Sequence, residues 1–200
     1  MIDLKKFCDP THARREMSAP FSVGAYTYAT EGHICVRVPL VEGYGAPGLN
    51  RFTIDIDRLL NRNSERHLIP LPQLPQGPNY YECYACIGGK RPTCNTCHGT
   101  GEVECNLGHE HPCPDCCGNS APGGICQTCD GTARLLKKQP VKIGKQVLDA
   151  NFLRLIADLP DIQVSLTEEG MEAIYFRFTG GDGMLMGMSG VNDDDLVVLV

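Results

Sequence analysis

Hydrophobic and polar positions alternate along the N-terminal third of the chain in a pattern that predicts short strands between short helices. Aromatic and β-branched residues recur over 21–29 with the period of a strand, and Asp9-Pro10 is a typical helix start, with an N-cap residue before a proline. The predicted elements are a helix from Asp9 to about Met17, strands over 21–29, 33–38 and 51–56, and a helix over about 57–66.

The C-terminal third has a similar pattern. Residues 141–148 are strand-like, and Asp149 or Asn151 can cap a helix that runs to Leu159. Further strands are predicted over 162–166, 173–179, 184–188 and 196–200, with a hairpin turn at Gly180-Gly-Asp-Gly183.

Each flank therefore predicts helix and antiparallel strands, and neither is large enough to form a core alone. We expect residues 1–79 and 139–200 to form one discontinuous α+β scaffold, built as a two-repeat antiparallel sheet with helices. Residues 67–79 contain four prolines and predict an extended connector into a separate segment, 80–138.

Cysteine composition sets the central segment apart. Ten of the twelve cysteines in the 200 residues lie between Cys83 and Cys129. Eight of them form four C-x-x-C pairs, which are Cys83 with Cys86, Cys94 with Cys97, Cys113 with Cys116, and Cys126 with Cys129. A glycine stands two positions after each pair, at Gly88, Gly99, Gly118 and Gly131.

This spacing is typical of zinc ligation. Two thiolates of a C-x-x-C turn can reach one cation, and zinc takes four such ligands in a tetrahedron, so four pairs predict two zinc ions. Glycine after each pair tolerates positive φ and lets peptide N–H groups approach the sulfurs. A zinc ion with four thiolate ligands has no open position for water, so the pattern favours a structural role over hydrolytic catalysis.

The four repeats resemble the central cysteine-rich module of DnaJ-type co-chaperones, whose repeats have the pattern CxxCxGxG. The closest copy is Cys94-Asn-Thr-Cys97-His-Gly-Thr-Gly101. The resemblance covers about residues 83–135 and implies an elongated β-hairpin. It also implies that repeats one and four share one zinc (Cys83, Cys86, Cys126, Cys129) and repeats two and three share the other (Cys94, Cys97, Cys113, Cys116).

The chain departs from that family in two respects. Repeats one, three and four have Lys90, Ser120 and Ala133 where the second glycine belongs. The J-domain, with its His-Pro-Asp motif, has no counterpart, because His-Pro occurs only at His111-Pro112.

Other potential ligands leave alternatives open. Cys117 adjoins Cys116, so either of the two could complete the inner site. Cys105, His109 and His111 lie on the inner excursion and could be alternative ligands, although a simple polar hairpin is the favoured interpretation.

Charge is distributed unevenly. Residues 139–200 carry four basic and ten acidic side chains, and this segment accounts for the net charge of −6. The acidic pI of about 5.5 gives no support to bulk nucleic-acid binding.

Arg58, Arg62 and Arg66 nevertheless follow an i, i+4, i+8 spacing on the predicted second helix. They are candidates for DNA contact, with a solvated helix face as the simpler alternative.

The flanks carry a second resemblance, to the domains of bacterial sliding clamps. It rests on Tyr28-Ala-Thr-Glu-Gly-His-Ile-Cys-Val-Arg-Val38, on Asn151-Phe-Leu-Arg-Leu-Ile, and on Gly183-Met-Leu-Met-Gly-Met188, where Gly187 replaces the family's proline. It implies one clamp-like domain of two βαβββ repeats, which could not encircle DNA without forming an oligomer.

The sequence has no apolar run of the ~18 residues that a bilayer span needs, and Met1-Ile-Asp-Leu-Lys-Lys6 does not resemble a signal peptide. We therefore expect a cytoplasmic protein without membrane contact, and in that compartment C-x-x-C pairs favour metal over disulfides.

The main hypothesis is a non-enzymatic zinc protein whose hairpin contacts a protein partner. The alternatives are a replication-associated, clamp-like factor that binds DNA or a clamp partner, and a thiol–disulfide oxidoreductase. The oligomeric state stays open.

Overall fold

A computed structural model describes residues 2–45, 51–63, 66–90, 92–116, 125–126, 128–166, 173–191 and 196–200. The chain forms two compact units, one of Met1–Gly77 with Lys138–Val200 and the other of Pro78–Lys137. Helices and largely antiparallel strands occur together, which confirms the α+β prediction. Among the described helices, none is long and apolar enough to cross a bilayer.

The helices and most of the strands belong to the first unit. Its helical elements are a 3₁₀ helix at Leu4–Phe7, α1 (Arg15–Ser18), α2 (Arg51–Asn63) and α3 (Ala150–Ala157). Its strands are β1 (Phe21–Val23), β2 (Tyr26–Thr30), β3 (Ile34–Pro39), β4 (Leu68–Pro70), β9 (Pro140–Ile143), β10 (Gln146–Asp149), β11 (Gln163–Ser165), β12 (Ala173–Phe178), β13 (Gly181–Met186) and β14 (Val197–Val198). The second unit contains β5 (Tyr80–Glu82), β6 (Glu102–Glu104), β7 (Glu110–Pro112) and β8 (Arg134–Leu136).

A seven-stranded sheet joins the two flanks. Its order is β1-β2-β3-β13-β12-β11-β4, with each neighbouring pair antiparallel. The central pair, β3 with β13, comes from opposite sides of the cysteine-rich segment and places Val36 opposite Gly183. A smaller sheet has the order β10-β9-β14. The flanks therefore share one fold because β13, β12 and β11 of the C-terminal flank lie between β3 and β4 of the N-terminal flank in a single hydrogen-bonded sheet.

Both faces of this sheet are covered by helices, so strand residues that point to either face are buried. On one face Val36 and Phe176 pack with α3, whose Leu153 and Ile156 have no exposed surface. On the other face Tyr175 packs with Leu60 of α2. The Asp149 carboxylate accepts the Asn151 N–H at 3.0 Å and thereby begins α3 at the predicted cap.

Several predicted boundaries are wrong. Residues 51–56, predicted as a strand, belong to α2, because Ile56 and Leu60 face the core with helical spacing. The helix predicted from Asp9 to Met17 is confined to α1, since the Asp9 N–H donates to the Met17 carbonyl and closes a loop instead. Residues 21–29 form a hairpin that turns at Gly24, which has φ of 61°.

The glycine-rich segment predicted as a turn lies mostly within β13. Gly183 pairs with Phe176, and a Cβ at Gly183 would collide with the Phe176 ring and the Cys35 carbonyl. Gly181 has the same relation to Phe178. Gly181 and Gly183 therefore leave space for the rings of Phe178 and Phe176 to lie over β13. This need for glycine arises from the neighbouring strand and cannot be recognised in the local sequence.

Arg37 is the polar centre of the sheet. Its guanidinium donates to both carboxylate oxygens of Asp182, from Nε at 2.9 Å and from Nη2 at 2.7 Å. Its Nη1 donates to Asp57 and to Asn61 of α2, each at 2.8 Å. The Tyr175 hydroxyl donates to Asp182 at 3.0 Å. The network therefore connects β3 to β13 through Asp182 and connects α2 to the sheet through Asp57 and Asn61.

We predict that Arg37→Met destabilises this unit by about 3–5 kcal/mol, because it leaves the Asp182 carboxylate buried without its cation. The measurement is urea unfolding followed by hydrogen exchange of β3 and β13 amides, which reports on the first unit alone. Arg58→Met is the matched control. Arg58 is exposed and only 3.9 Å from Asp55, so its loss should change the free energy of unfolding by less than about 0.5 kcal/mol. Equal effects of the two substitutions would contradict the role assigned to Arg37.

Candidate metal centres

The outer group of cysteines lies where β5 ends and β8 begins. These strands pair antiparallel with Glu82 opposite Arg134, and the Cys83 N–H donates to the Ala133 carbonyl at 2.9 Å. The ligand atoms of Cys83, Cys86, Cys126 and Cys129 all lie within 4.8 Å of one another. The Sγ–Sγ distances are 3.9 Å from Cys83 to Cys126 and 3.6 Å from Cys86 to Cys129.

The inner group lies beside the β6–β7 hairpin. The Cys113 N–H donates to the Gly101 carbonyl at 2.8 Å, which brings repeat three against repeat two. The ligand atoms of Cys94, Cys97, Cys113 and Cys116 likewise lie within 4.8 Å of one another. The Sγ–Sγ distances are 3.7 Å from Cys94 to Cys113 and 3.7 Å from Cys97 to Cys116.

These dimensions fit a zinc ion in each group. Four sulfurs at about 2.3 Å from a tetrahedral zinc are about 3.8 Å apart, close to the observed separations. A disulfide requires about 2.05 Å between sulfurs, so the measured pairs are not bonded to each other. The structure thus brings together two sets of four soft ligands, each of which could hold one metal ion. The grouping of repeats is the one that the DnaJ-type resemblance implies.

Backbone conformation after each pair makes the close packing feasible. Gly88, Gly99 and Gly131 have positive φ, as the glycine spacing predicts, whereas Gly118 lies outside the described residues. Sequence reasoning missed Gly89. A Cβ at Gly89 would collide with the Gly131 carbonyl, so repeats one and four approach each other through bare backbone.

Burial opposes the ionisation of thiols in the outer group. Burial, together with the neighbouring thiols of Cys129 and Cys83, raises the pKa of Cys86 to about 12. Burial also opposes ionisation of Cys126, but the backbone N–H groups of Cys129 and Thr128 and the adjacent thiols lower its pKa to about 6. A divalent ion would stabilise the four thiolates together, with release of protons.

The inner group has the same electrostatic character. Burial raises the pKa of Cys113 to about 11, against the opposing effect of backbone N–H groups at Cys116 and Asp115. The Gly101 N–H donates to Cys97 Sγ at 3.3 Å, so the second glycine of repeat two contributes a direct N–H to sulfur contact. Cys117, the alternative to Cys116, lies outside the described residues.

A third group of potential ligands is present in the same unit. Cys105, His109 and His111 have ligand atoms within 4.8 Å of one another, at the tip of the β6–β7 hairpin. They are separate from the two four-cysteine groups, each of which already has four ligands. The backbone N–H groups of Leu107 and His109 lower the pKa of Cys105.

The three arginines proposed for DNA contact do not form one helical stripe. Arg58 and Arg62 lie on α2, and Arg58 is exposed beside Asp55 at 3.9 Å. α2 ends at Asn63, so Arg66 lies beyond it, and the predicted helix end at 66 is wrong. DNA contact by these residues stays a prediction.

Comparisons with protein-family models, with curated proteins and with solved structures each found no match. The resemblances of the repeats to a DnaJ-type module and of the flanks to a sliding clamp therefore stay predictions from sequence. The cysteine geometry carries the functional argument by itself.

We predict that the purified chain retains about two tightly bound zinc ions, one in each four-cysteine group. Cys83→Ser should lose the outer ion and Cys94→Ser the inner one, because each variant leaves only three thiolates for its ion. Native mass spectrometry after a wash with a mild chelator measures the count. Cys8→Ser, in the other unit, should keep both ions. Loss of both ions in either single variant would show that the groups do not bind independently.

Proposed function

We propose that this chain is a non-enzymatic zinc-binding protein that uses its cysteine-rich unit, Pro78–Lys137, to bind another protein. The observation that carries the proposal is the presence of two four-cysteine groups with zinc-compatible separations in one small unit. The α+β unit is then the scaffold whose sequence is interrupted by the binding unit.

Metal is proposed to be structural here because the described part of the unit has very little apolar core. The buried cluster found among those residues consists of Cys83, Cys126 and Cys129, with Ala85, Cys86 and Leu135 packed against it. Such a cluster cannot offset the chain entropy of about sixty residues. Zinc binding contributes about 10–16 kcal/mol in comparable peptides and would provide the missing free energy of folding.

Most of the large apolar side chains described in this unit are instead exposed to solvent. Around the outer cysteine group, Tyr84 is 82% exposed, Ile87 78% and Ile125 71%. Tyr80 and Leu136 face each other across β5 and β8 and are each about half exposed. Exposed apolar side chains held on a rigid backbone are typical of protein-binding surfaces.

The charge of the inner part of the unit favours a protein partner over DNA. Residues 92–133 contain five acidic side chains and neither lysine nor arginine, whereas Lys90, Arg91, Arg134 and Lys137 lie outside this stretch. A surface of this sign repels phosphate. DNA binding would have to involve those four basic residues or the other unit, in which Arg58 of α2 lies beside an acidic residue.

The proposal of a non-enzymatic role rests on ligand saturation. A zinc ion that holds four thiolates has no position for substrate or water, and its thiolates are poor nucleophiles for disulfide exchange. The alternative function, a thiol–disulfide oxidoreductase, would require one C-x-x-C pair whose thiolates leave the metal during turnover.

We predict that a photoreactive amino acid at Tyr84 or Ile87 cross-links the zinc-loaded chain to a discrete protein in cells that express it. The yield should fall at least about tenfold in the Cys83→Ser background, because loss of the outer ion disorders the surface. Gel electrophoresis and mass spectrometry of the adducts provide the measurement.

A photoreactive residue at the exposed Leu59 of α2 is the matched control and should not yield the same adduct. Adducts from positions 84 and 87 that are equally strong without metal would contradict a metal-dependent surface. Salt-sensitive retention of the chain on duplex DNA, lost in Arg58→Ala with Arg62→Ala, would favour the DNA-binding alternative.

A further inference from the structure

We propose that Cys105, His109 and His111 form a third metal site, which takes a divalent cation of the zinc class through three protein ligands and leaves one coordination position open. The site lies at the tip of the β6–β7 hairpin and shares no residue with the four-cysteine groups. It adds a binding activity to the unit and does not depend on the proposed protein partner.

The hairpin register explains why these three side chains meet. Val103 pairs with His111 and Glu104 with Glu110, so the next position along places Cys105 opposite His109. The Cys105 N–H donates to the His109 carbonyl at 2.9 Å, which fixes this register. Because side chains alternate between faces of a strand, Cys105, His109 and His111 lie on one face of the hairpin.

The turn between the strands is well suited to hold that register. Residues 106–108 form a three-residue loop in which the Gly108 N–H donates to the Cys105 carbonyl at 2.8 Å. Gly108 has φ of 78°, the left-handed conformation that ends such loops. The spacing C-x₃-H-x-H is therefore matched to a tight hairpin, which places three ligands together before any metal binds.

The donor set is chemically complete for a three-ligand site. A thiolate and two imidazoles are soft and borderline ligands that suit Zn²⁺ and Co²⁺, and three protein ligands with one exchangeable position are typical of accessible zinc. The rings of His109 and His111 have centroids 6.5 Å apart and are inclined at 75°, so their nitrogens can converge without stacking.

The surroundings favour a cation and keep it accessible. Glu102, Glu104 and Glu110 lie on the opposite face of the same two strands, and residues 92–133 contain neither lysine nor arginine, so the charges close to the site favour a cation. Both histidines are exposed and Cys105 is half-buried. An ion there would exchange more readily than ions in the closed groups, and its fourth position could accept water or a donor atom from another molecule.

The test is a titration of the zinc-loaded full chain with additional Zn²⁺, followed by native mass spectrometry. We expect the count to rise from about two to about three ions, and a mild chelator to remove the third ion first. Cys105→Ser and His111→Ala should each stop at about two ions at the same free Zn²⁺ concentration, because either change leaves two ligands. Their retention of two ions also shows that the unit is still folded.

Two variants serve as controls. Leu107→Ala alters an exposed side chain of the same turn that offers no metal ligand, and His67→Ala removes an exposed histidine of the other unit. Both should still reach about three ions. Titration with Co²⁺ provides a second readout, since the thiolate-to-cobalt absorption should increase with the third ion and lose that increment in Cys105→Ser.

Two results would overturn the proposal. One is a wild-type count that stays at two in saturating Zn²⁺. The other is a third ion that persists in both Cys105→Ser and His111→Ala, because it would then be bound elsewhere on the chain.

Discussion

The pairing of Arg37 with Asp182 is the constraint on which the first unit depends. One residue precedes the cysteine-rich segment and the other follows it, and together they lie across the central strand pair of the sheet. Burial of the guanidinium would be costly alone, but two carboxylates, an amide and a tyrosine ring surround it. The same guanidinium holds α2 through Asp57, so the sheet and its covering helix share a single polar centre. That arrangement allows a long segment to interrupt the chain without dividing the sheet.

The second unit has a different source of order. Its described buried cluster is built on cysteines, which we propose are held by metal in place of an apolar core, while its described tyrosine and isoleucine side chains are exposed. In an ordinary domain these side chains would be buried for stability, but here metal ligation is proposed to supply the stability, which leaves them for binding. The acidic character of residues 92–133 is consistent with both proposals, because it favours cations and disfavours phosphate. In this proposal the two four-cysteine groups stabilise the fold of the unit, and the open site at the hairpin tip binds an exchangeable ion.

The C-x-x-C spacing is a local property, so the cysteine sequence was sufficient to predict where metal ligands would gather and how many ions they could hold. The cap at Asp149 and the α+β class were predictable for the same reason, since caps and strand periodicity are visible within a few residues. The helical identity of residues 51–56 was not predictable, because Ile54 and Ile56 fit a strand alternation as well as an amphipathic helix, and packing of Ile56 and Leu60 against the sheet decides between them.

By itself, the sequence determined the chemistry of this protein: soft ligands in pairs, a net negative charge concentrated in residues 139–200 and two flanks with strand periodicity. Only the tertiary structure decided which strands are neighbours, why β13 needs glycine opposite Phe176 and Phe178, and how Arg37 is neutralised by Asp182 across 145 positions of the chain. It also decided that Cys105, His109 and His111 share one face, because that depends on the register of β6 with β7. Ligand type is a property of single residues, whereas burial, register and charge pairing exist only when distant segments meet.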